Sequence, residues 1–143
     1  MTVLSWNSQY HIGDRTIDEN LKTLFKIINE FYSYWAVQRH SKDLIAVLKK
    51  LTQHGELHFQ NEEEIMKRAN YPEWEDHRQE HKKLLKLAAQ INDQFTARGH
   101  MTARDVQLFC KHWLIDHIIQ YDYEFRDFLA NKNSQGRLIT TNE

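Results

Sequence analysis

One cysteine, one proline and four glycines in 143 residues leave little with which to staple, break or bend this chain. A lone Cys110 excludes an intrachain disulfide framework and a thiolate-rich zinc knuckle, and reads as a small packed helix residue. No apolar run approaches the roughly 18 residues of a membrane span. The opening "MTVLSWNSQYHIGDRT" lacks both the basic leader and the apolar core of a signal peptide, so the expectation is a cytoplasmic protein. A net charge of -1 gives no general attraction to nucleic acid or to an anionic membrane. The length suits one domain with one core. What the chain does have, beyond the ordinary, is nine histidines.

Scarce Gly and Pro fall mostly where helices should stop, and the apolar residues between them repeat at helical spacing. After an arm over residues 1–15, "TIDE" offers Thr16 as an N-cap with Glu19 as its capping-box partner. This predicts a helix over 17–38 with an inward stripe of Ile17, Leu21, Leu24, Phe25, Ile28, Phe31, Tyr32 and Trp35. Ser41 is positioned to cap a second helix over 41–69, striped by Leu44, Val47, Leu48 and Leu51. Pro72 suits the first turn of a third helix over 72–98, and Gly99 its stop. Thr102 and Asp105 cap a fourth over 102–130, and residues 132–143 have no period and read as a frayed tail. Four amphipathic helices with short connections predict an all-α, up-down-up-down antiparallel four-helix bundle over residues 1–131.

The inward stripe of the second helix is interrupted. In "HGELHFQNE", His54, His58 and Glu62 stand at steps of four and project from nearly one face. His77 and His81 on the third helix and His117 on the fourth each replace an apolar residue on an inward stripe, at the matching level of an antiparallel bundle. A single core histidine is ordinarily just a hydrogen-bonded one. Several together with a buried carboxylate need positive charge, which neutral imidazoles do not provide and a metal does. Imidazole and carboxylate donors without thiolate disfavour iron–sulfur clusters and structural zinc, and the excess of nitrogen disfavours calcium and magnesium. More than four donors overfill one tetrahedral zinc. A dinuclear carboxylate-bridged site in a helical bundle is the natural reading, with iron first and manganese second.

These residues resemble the hemerythrin family, in particular its single-domain bacteriohemerythrins. The resemblance is carried by "SW…IG…TIDEN" near the start, "HFQNEEEIM" (58–66), "YPEWEDHRQEH" (71–81) and "WLIDHIIQYD" (113–122). It implies two iron ions, one on His77, His81 and His117 and the other on His58. Glu62 and Asp122 would bridge them together with an oxo or hydroxo group. Spacing handles Asp122 poorly: five residues from His117 is about 140° around an ideal helix, and Glu124 aligns better. Spacing alone leaves Asp122 between a surface acid and a ligand reached through a loosened turn; the resemblance makes it a bridge. Glu63 and Glu64 read as solvent-facing.

The chain departs from the family in helix A. Where hemerythrins carry a histidine in an I-D-x-Q-H signature, this sequence has "IDENLKTLF", with Leu21 at the ligand position. The expectation is that His54, which stands where relatives tend to have Tyr, replaces that ligand. Open beside it are a His54 that only hydrogen-bonds in the core and a second iron held by fewer ligands. Gly55 next to it, costly in a helix by roughly 1 kcal/mol, hints at a local need for space. His11, His40, His100 and His112 read as solvated. Phe59, Trp113, Leu114 and Ile118 read as core and as an apolar lining around the metals.

The function this implies is reversible O2 binding, as carrier, store or sensor, with an oxygen-using protein as the kind of partner a carrier would serve. The alternatives are a diiron oxidase or peroxidase with an altered ligand shell, and a metal-depleted interaction module. A histidine-rich donor set argues against the carboxylate-rich oxidases.

Overall fold

The first helix begins where two aspartates answer each other. Asp14, in extended conformation, accepts from the Ile17 N–H (3.1 Å). Asp18 reaches back to accept from the Ile12 N–H (2.6 Å) and the Gly13 N–H (3.4 Å). Gly13 turns the chain at φ 101°, a conformation that favours glycine. Helix α1 therefore spans Arg15–Ala36 with Asp14 as its N-cap, in place of the expected Thr16. The earlier acid satisfies the free N–H groups and leaves Thr16 exposed in the first turn.

In this computed structural model, which describes residues 4–141, α1 is followed by α2 (Ser41–Arg68) and α3 (Trp74–Arg98). A fourth rod starts as α4 (Ala103–Cys110), passes through two π-wound stretches at Lys111–Asp116 and Ile118–Asp122, and continues as α5 (Tyr123–Thr141). The described residues contain no strand, and the chain is a four-helix bundle. His40, not Ser41, is the N-cap of α2, without a side-chain bond. Pro72 lies in the turn ahead of α3, Gly99 ends that helix in the left-handed conformation (φ 73°), and Thr102 caps α4 by accepting from the Asp105 N–H (3.2 Å). The helical backbone of the fourth rod runs past residue 132 to Thr141. Residues 1–3 of the expected arm and 142–143 of the expected tail lie outside the described residues.

The core is continuous across the four rods. Phe31 of α1 meets Phe95 of α3 and Phe109 of α4 edge to face, with centroids 5.9 and 6.0 Å apart. Tyr71, before α3, packs on Phe125 and Phe128 of α5. The arm is fastened rather than loose. The Asn29 side chain exchanges two hydrogen bonds with the Leu4 backbone, Trp6 packs edge-on against Phe25, and the Tyr123 hydroxyl donates to the Gln9 carbonyl. The arm thus ties α1 to α5 across one side of the bundle.

Candidate metal centre

Six polar side chains converge in the apolar interior: His58 and Glu62 from α2, His77 and His81 from α3, and His117 and Asp122 from the fourth rod. None is more than 3% exposed. His77 Nε2 lies 2.8 Å from Glu62 Oε1 and 3.0 Å from Asp122 Oδ1. His81 Nε2 is 3.1 Å from Glu62 Oε1, and His117 Nε2 is 3.2 Å from Asp122 Oδ1. The other oxygen of Glu62, Oε2, faces His58 Nε2 at 3.6 Å. Glu62 therefore presents one oxygen to two imidazoles, with His117 joined to that group through Asp122, and its other oxygen to a single one.

Close as these atoms are, they do not form aligned hydrogen bonds. The Nε2 atoms of all four histidines and every carboxylate oxygen of Glu62 and Asp122 are buried without a hydrogen-bond partner. A bundle interior does not retain so many unsatisfied polar atoms without compensation. Nitrogen and oxygen donors that converge on common points, rather than pairing with one another, fit a shared cation. Donor atoms of Glu62, His77, His81, His117 and Asp122 lie within 4.8 Å of one another.

Asp122 enters this set through the winding of the backbone. In the π-wound stretch Ile118–Asp122 the hydrogen bonds span five residues instead of four, as in the Tyr123 N–H to Ile118 carbonyl bond. One turn then holds an extra residue, and Asp122 comes to lie a turn beyond His117. It is fully buried, whereas Glu124, the better match on an ideal helix, is exposed.

His54 is the expectation the geometry corrects. It is exposed and stands outside the cluster, and Gly55 takes the inward position instead. Steps of four drift around a helix: His54 is about 80° from Glu62, while Gly55, seven residues away, is within about 20°. The space beside Gly55 belongs to the Trp113 indole, which would lie 2.8 Å from an added Cβ. Leu21 is fully buried, and the buried residues of α1 are all apolar, Ile17, Leu24, Phe25, Ile27, Ile28 and Phe31 among them. His11, His40, His100 and His112 are exposed.

Glu63, expected in solvent beside Glu64, is half-buried, and its Oε2 lies 2.8 Å from His81 Nδ1. The two acids stand about 100° apart on α2, and Glu63 lies one turn from the buried Phe59 and Met66, on the flank that meets α3. An Nδ1–H donated to Glu63 would leave His81 Nε2, 3.1 Å from Glu62 Oε1, as the nitrogen free to hold a cation. Aromatic rings hold the imidazoles from the other side. Phe59 stacks on His81 (centroids 4.1 Å, planes 10° apart), and Tyr121 stacks on His117 (5.4 Å, 16°). Trp113, Leu114 and Ile118 are buried alongside, and the Trp113 Nε1–H donates to the Leu84 carbonyl (2.9 Å).

Without a metal, protons supply the positive charge. Burial opposes ionisation of His77, but the neighbouring Glu62 and Asp122 carboxylates outweigh it and push its pKa up to about 10. Burial opposes His81 as well, and Glu62 and Glu63 raise it. Glu62 is held well below the usual carboxylate range: burial alone would raise it, and the charge on His77 prevails. His58 goes the other way, lowered by burial, and remains a neutral imidazole. A metal ion bound here would compete with protons for the same nitrogen atoms.

Comparison with known proteins agrees with this arrangement. Residues 13–128 match the family model described as the hemerythrin HHE cation binding domain. The chain is 26% identical over 123 residues to a bacteriohemerythrin of Methylococcus capsulatus, covering 85% of this chain and 93% of that protein. It is 23% identical to one of Ralstonia nicotianae, covering 96% of each, and 24% identical to a myohemerythrin of Theromyzon tessulatum, covering 85% and 89%. A crystal structure of wild-type hemerythrin superimposes with a TM-score of 0.76 at 24% identity, covering 88% of this chain and 97% of that one, which speaks for the fold alone. With a family model that spans most of its length and a buried histidine and carboxylate cluster at the centre of the same bundle, this chain belongs to the hemerythrin family.

Proposed function

We propose that the protein binds O2 reversibly at a non-heme diiron centre held by His58, Glu62, His77, His81, His117 and Asp122. The observation that carries this reading is the convergence of unpartnered imidazole nitrogens and carboxylate oxygens on two sides of Glu62, in a site closed to water. Hemerythrins are oxygen-binding proteins and not enzymes, and the chain is read in the same way. Iron held by these residues would supply the electrons that O2 takes up on binding and returns on release.

The remaining work falls to the side chains. His77, His81 and His117 offer Nε2 lone pairs from fixed ring orientations, which Phe59, Tyr121 and Glu63 set by stacking and by the hydrogen bond at His81 Nδ1. Glu62 and Asp122 would supply negative charge to offset two dications, and Glu62 faces imidazoles with both of its oxygens. Phe59, Trp113, Leu114 and Ile118 keep bulk water out, which hinders hydrolytic loss of reduced oxygen. Among the described residues no helix is long and apolar enough to cross a membrane.

Stopped-flow mixing of the anaerobically iron-loaded protein with O2 tests the proposal. A persistent oxygenated absorption band that argon reverses is the expected result. Prompt bleaching with release of peroxide would reject reversible binding in favour of an oxidase.

A further inference from the structure

The two sides of Glu62 are not equally furnished. On the Oε1 side stand the Nε2 atoms of His77, His81 and His117, together with Asp122 Oδ1, at 2.8 to 3.2 Å from the nearest carboxylate oxygen. A metal ion there would meet three nitrogens and two oxygens, contributed by three rods. On the Oε2 side stands His58 Nε2 alone, at 3.6 Å, and even if the second, unpartnered Asp122 oxygen turned that way an ion there would meet only three donors. Nothing on α1 makes up the difference, because its buried residues are apolar and Leu21 is fully enclosed among them. His54 does not either, being exposed.

We infer that this centre fills in two unequal steps: one ion held tightly by His77, His81, His117, Glu62 and Asp122, and a second held weakly by His58 and the outer carboxylate oxygens. The inference rests on the metal-site reading above and extends it to occupancy. Charge acts in the same direction as donor count. Glu62 and Asp122 bring two negative charges, which the first dication cancels, and the second then arrives about 3.5–4 Å from a filled site. An imidazole ligand brings no negative charge, so His58 adds no compensation, and of the four histidines only His81 of the first group has an acceptor, Glu63, at its Nδ1. Loss of even one outer-shell partner ordinarily costs about 10- to 100-fold in metal affinity, so a position short of two donors should be weaker by about 100-fold or more. The two-ion form would then exist only where free ferrous iron exceeds the second dissociation constant, and oxygen binding would follow iron supply.

The test is anaerobic titration of the metal-free full chain with ferrous iron, followed by gel filtration against a ferrous chelator, iron counting per chain and Mössbauer spectroscopy. The expected result is two binding steps separated by about 100-fold or more, with one iron per chain surviving the wash as an isolated ferrous ion. In Leu21→His, whose fold is checked by circular dichroism, the second step tightens and two coupled irons survive. His58→Ala abolishes the weak step, and His117→Ala weakens the tight one, so the assignment does not depend on Leu21→His folding. Two irons surviving the wash in the unaltered chain would overturn the inference and leave the diiron reading standing. No retained iron at all would overturn both.

Discussion

Replacing Gly55 with alanine sets two effects of opposite sign against each other. Inside a helix the exchange is worth about 1 kcal/mol in favour of alanine, through the backbone entropy that glycine loses on folding. Against it stands the Trp113 indole. A Cβ at position 55 would meet Trp113 Cη2 at 2.8 Å and Cζ2 at 3.1 Å. Ordinary carbon contacts lie at about 3.5–4.0 Å, so the ring would have to retreat by about 0.7 Å or more. It has little room to do so: the ring is fully buried, its Nε1–H is committed to the Leu84 carbonyl, and Phe59 and Phe109 lie against it. Overpacking of this kind costs about 1–3 kcal/mol. The net expectation is a destabilisation of about 1 kcal/mol, within about 0–2, or a melting temperature lower by about 3 °C. Urea unfolding of the metal-free protein measures it without a contribution from bound iron. In a Trp113→Phe background, which lacks the offending atoms, the alanine should become neutral or stabilising, giving a coupling of about 1–2 kcal/mol. If Gly55→Ala stabilises by about 1 kcal/mol in both backgrounds, the indole yields freely and the close approach has been misread.

Other expectations concern the site and the buried thiol. Glu63→Ala should weaken retention of the tightly held iron by about 10- to 100-fold in chelator competition while Glu63→Gln, still an acceptor for His81 Nδ1, retains most of it. Loading metal at neutral pH should release at least one proton per chain, because His77 is charged below its pKa of about 10 and must be neutral to offer Nε2. In the metal-free protein, stability from that charged pairing is fully present below the ordinary histidine value of 6.5 and disappears as pH rises through about 10. Calorimetry in buffers of different ionisation enthalpy reads the proton count, and a release that persists above that pH would contradict the assignment. Cys110 is buried, which pushes its thiol up to about 12, so a disulfide reagent at about pH 8 should leave the native protein untouched and modify one thiol per chain on unfolding.

The bundle was legible because its stops are written in unambiguous residues. Gly99 and Thr102 end α3 and begin α4 for reasons of backbone and side-chain chemistry that no tertiary contact overrides. Thr16 was a plausible cap only because the competing aspartates, Asp14 and Asp18, work through bonds to Ile17, Ile12 and Gly13 that lie on both sides of it. Histidine spacing brought out His58, His77, His81 and His117, each of which displaces an apolar residue from an inward stripe. His54 is not one of them because a step of four overshoots one turn of the helix by about 40°, and the overshoot doubles to about 80° over two steps. Asp122 lay beyond helical arithmetic because the backbone itself departs from the α form at the point where that arithmetic would apply. The inward lean of Glu63 follows from its place one turn from Phe59 and Met66, but its contact with His81 depends on where α3 sits, which no single-helix pattern contains.

The π-wound stretches have a mechanical consequence as well. An inserted residue rotates everything downstream by about 100° relative to an unbroken helix, so the same extra residue that swings Asp122 inward also sets which side of α5 meets Tyr71 and the arm. The fourth rod behaves as a screw with an adjustable thread. Relaxing it to ordinary winding at the centre would unseat the contacts of Phe125 and Phe128 just downstream, and the Tyr123 bond to Gln9, one residue past the loosened turn, opposes that rotation.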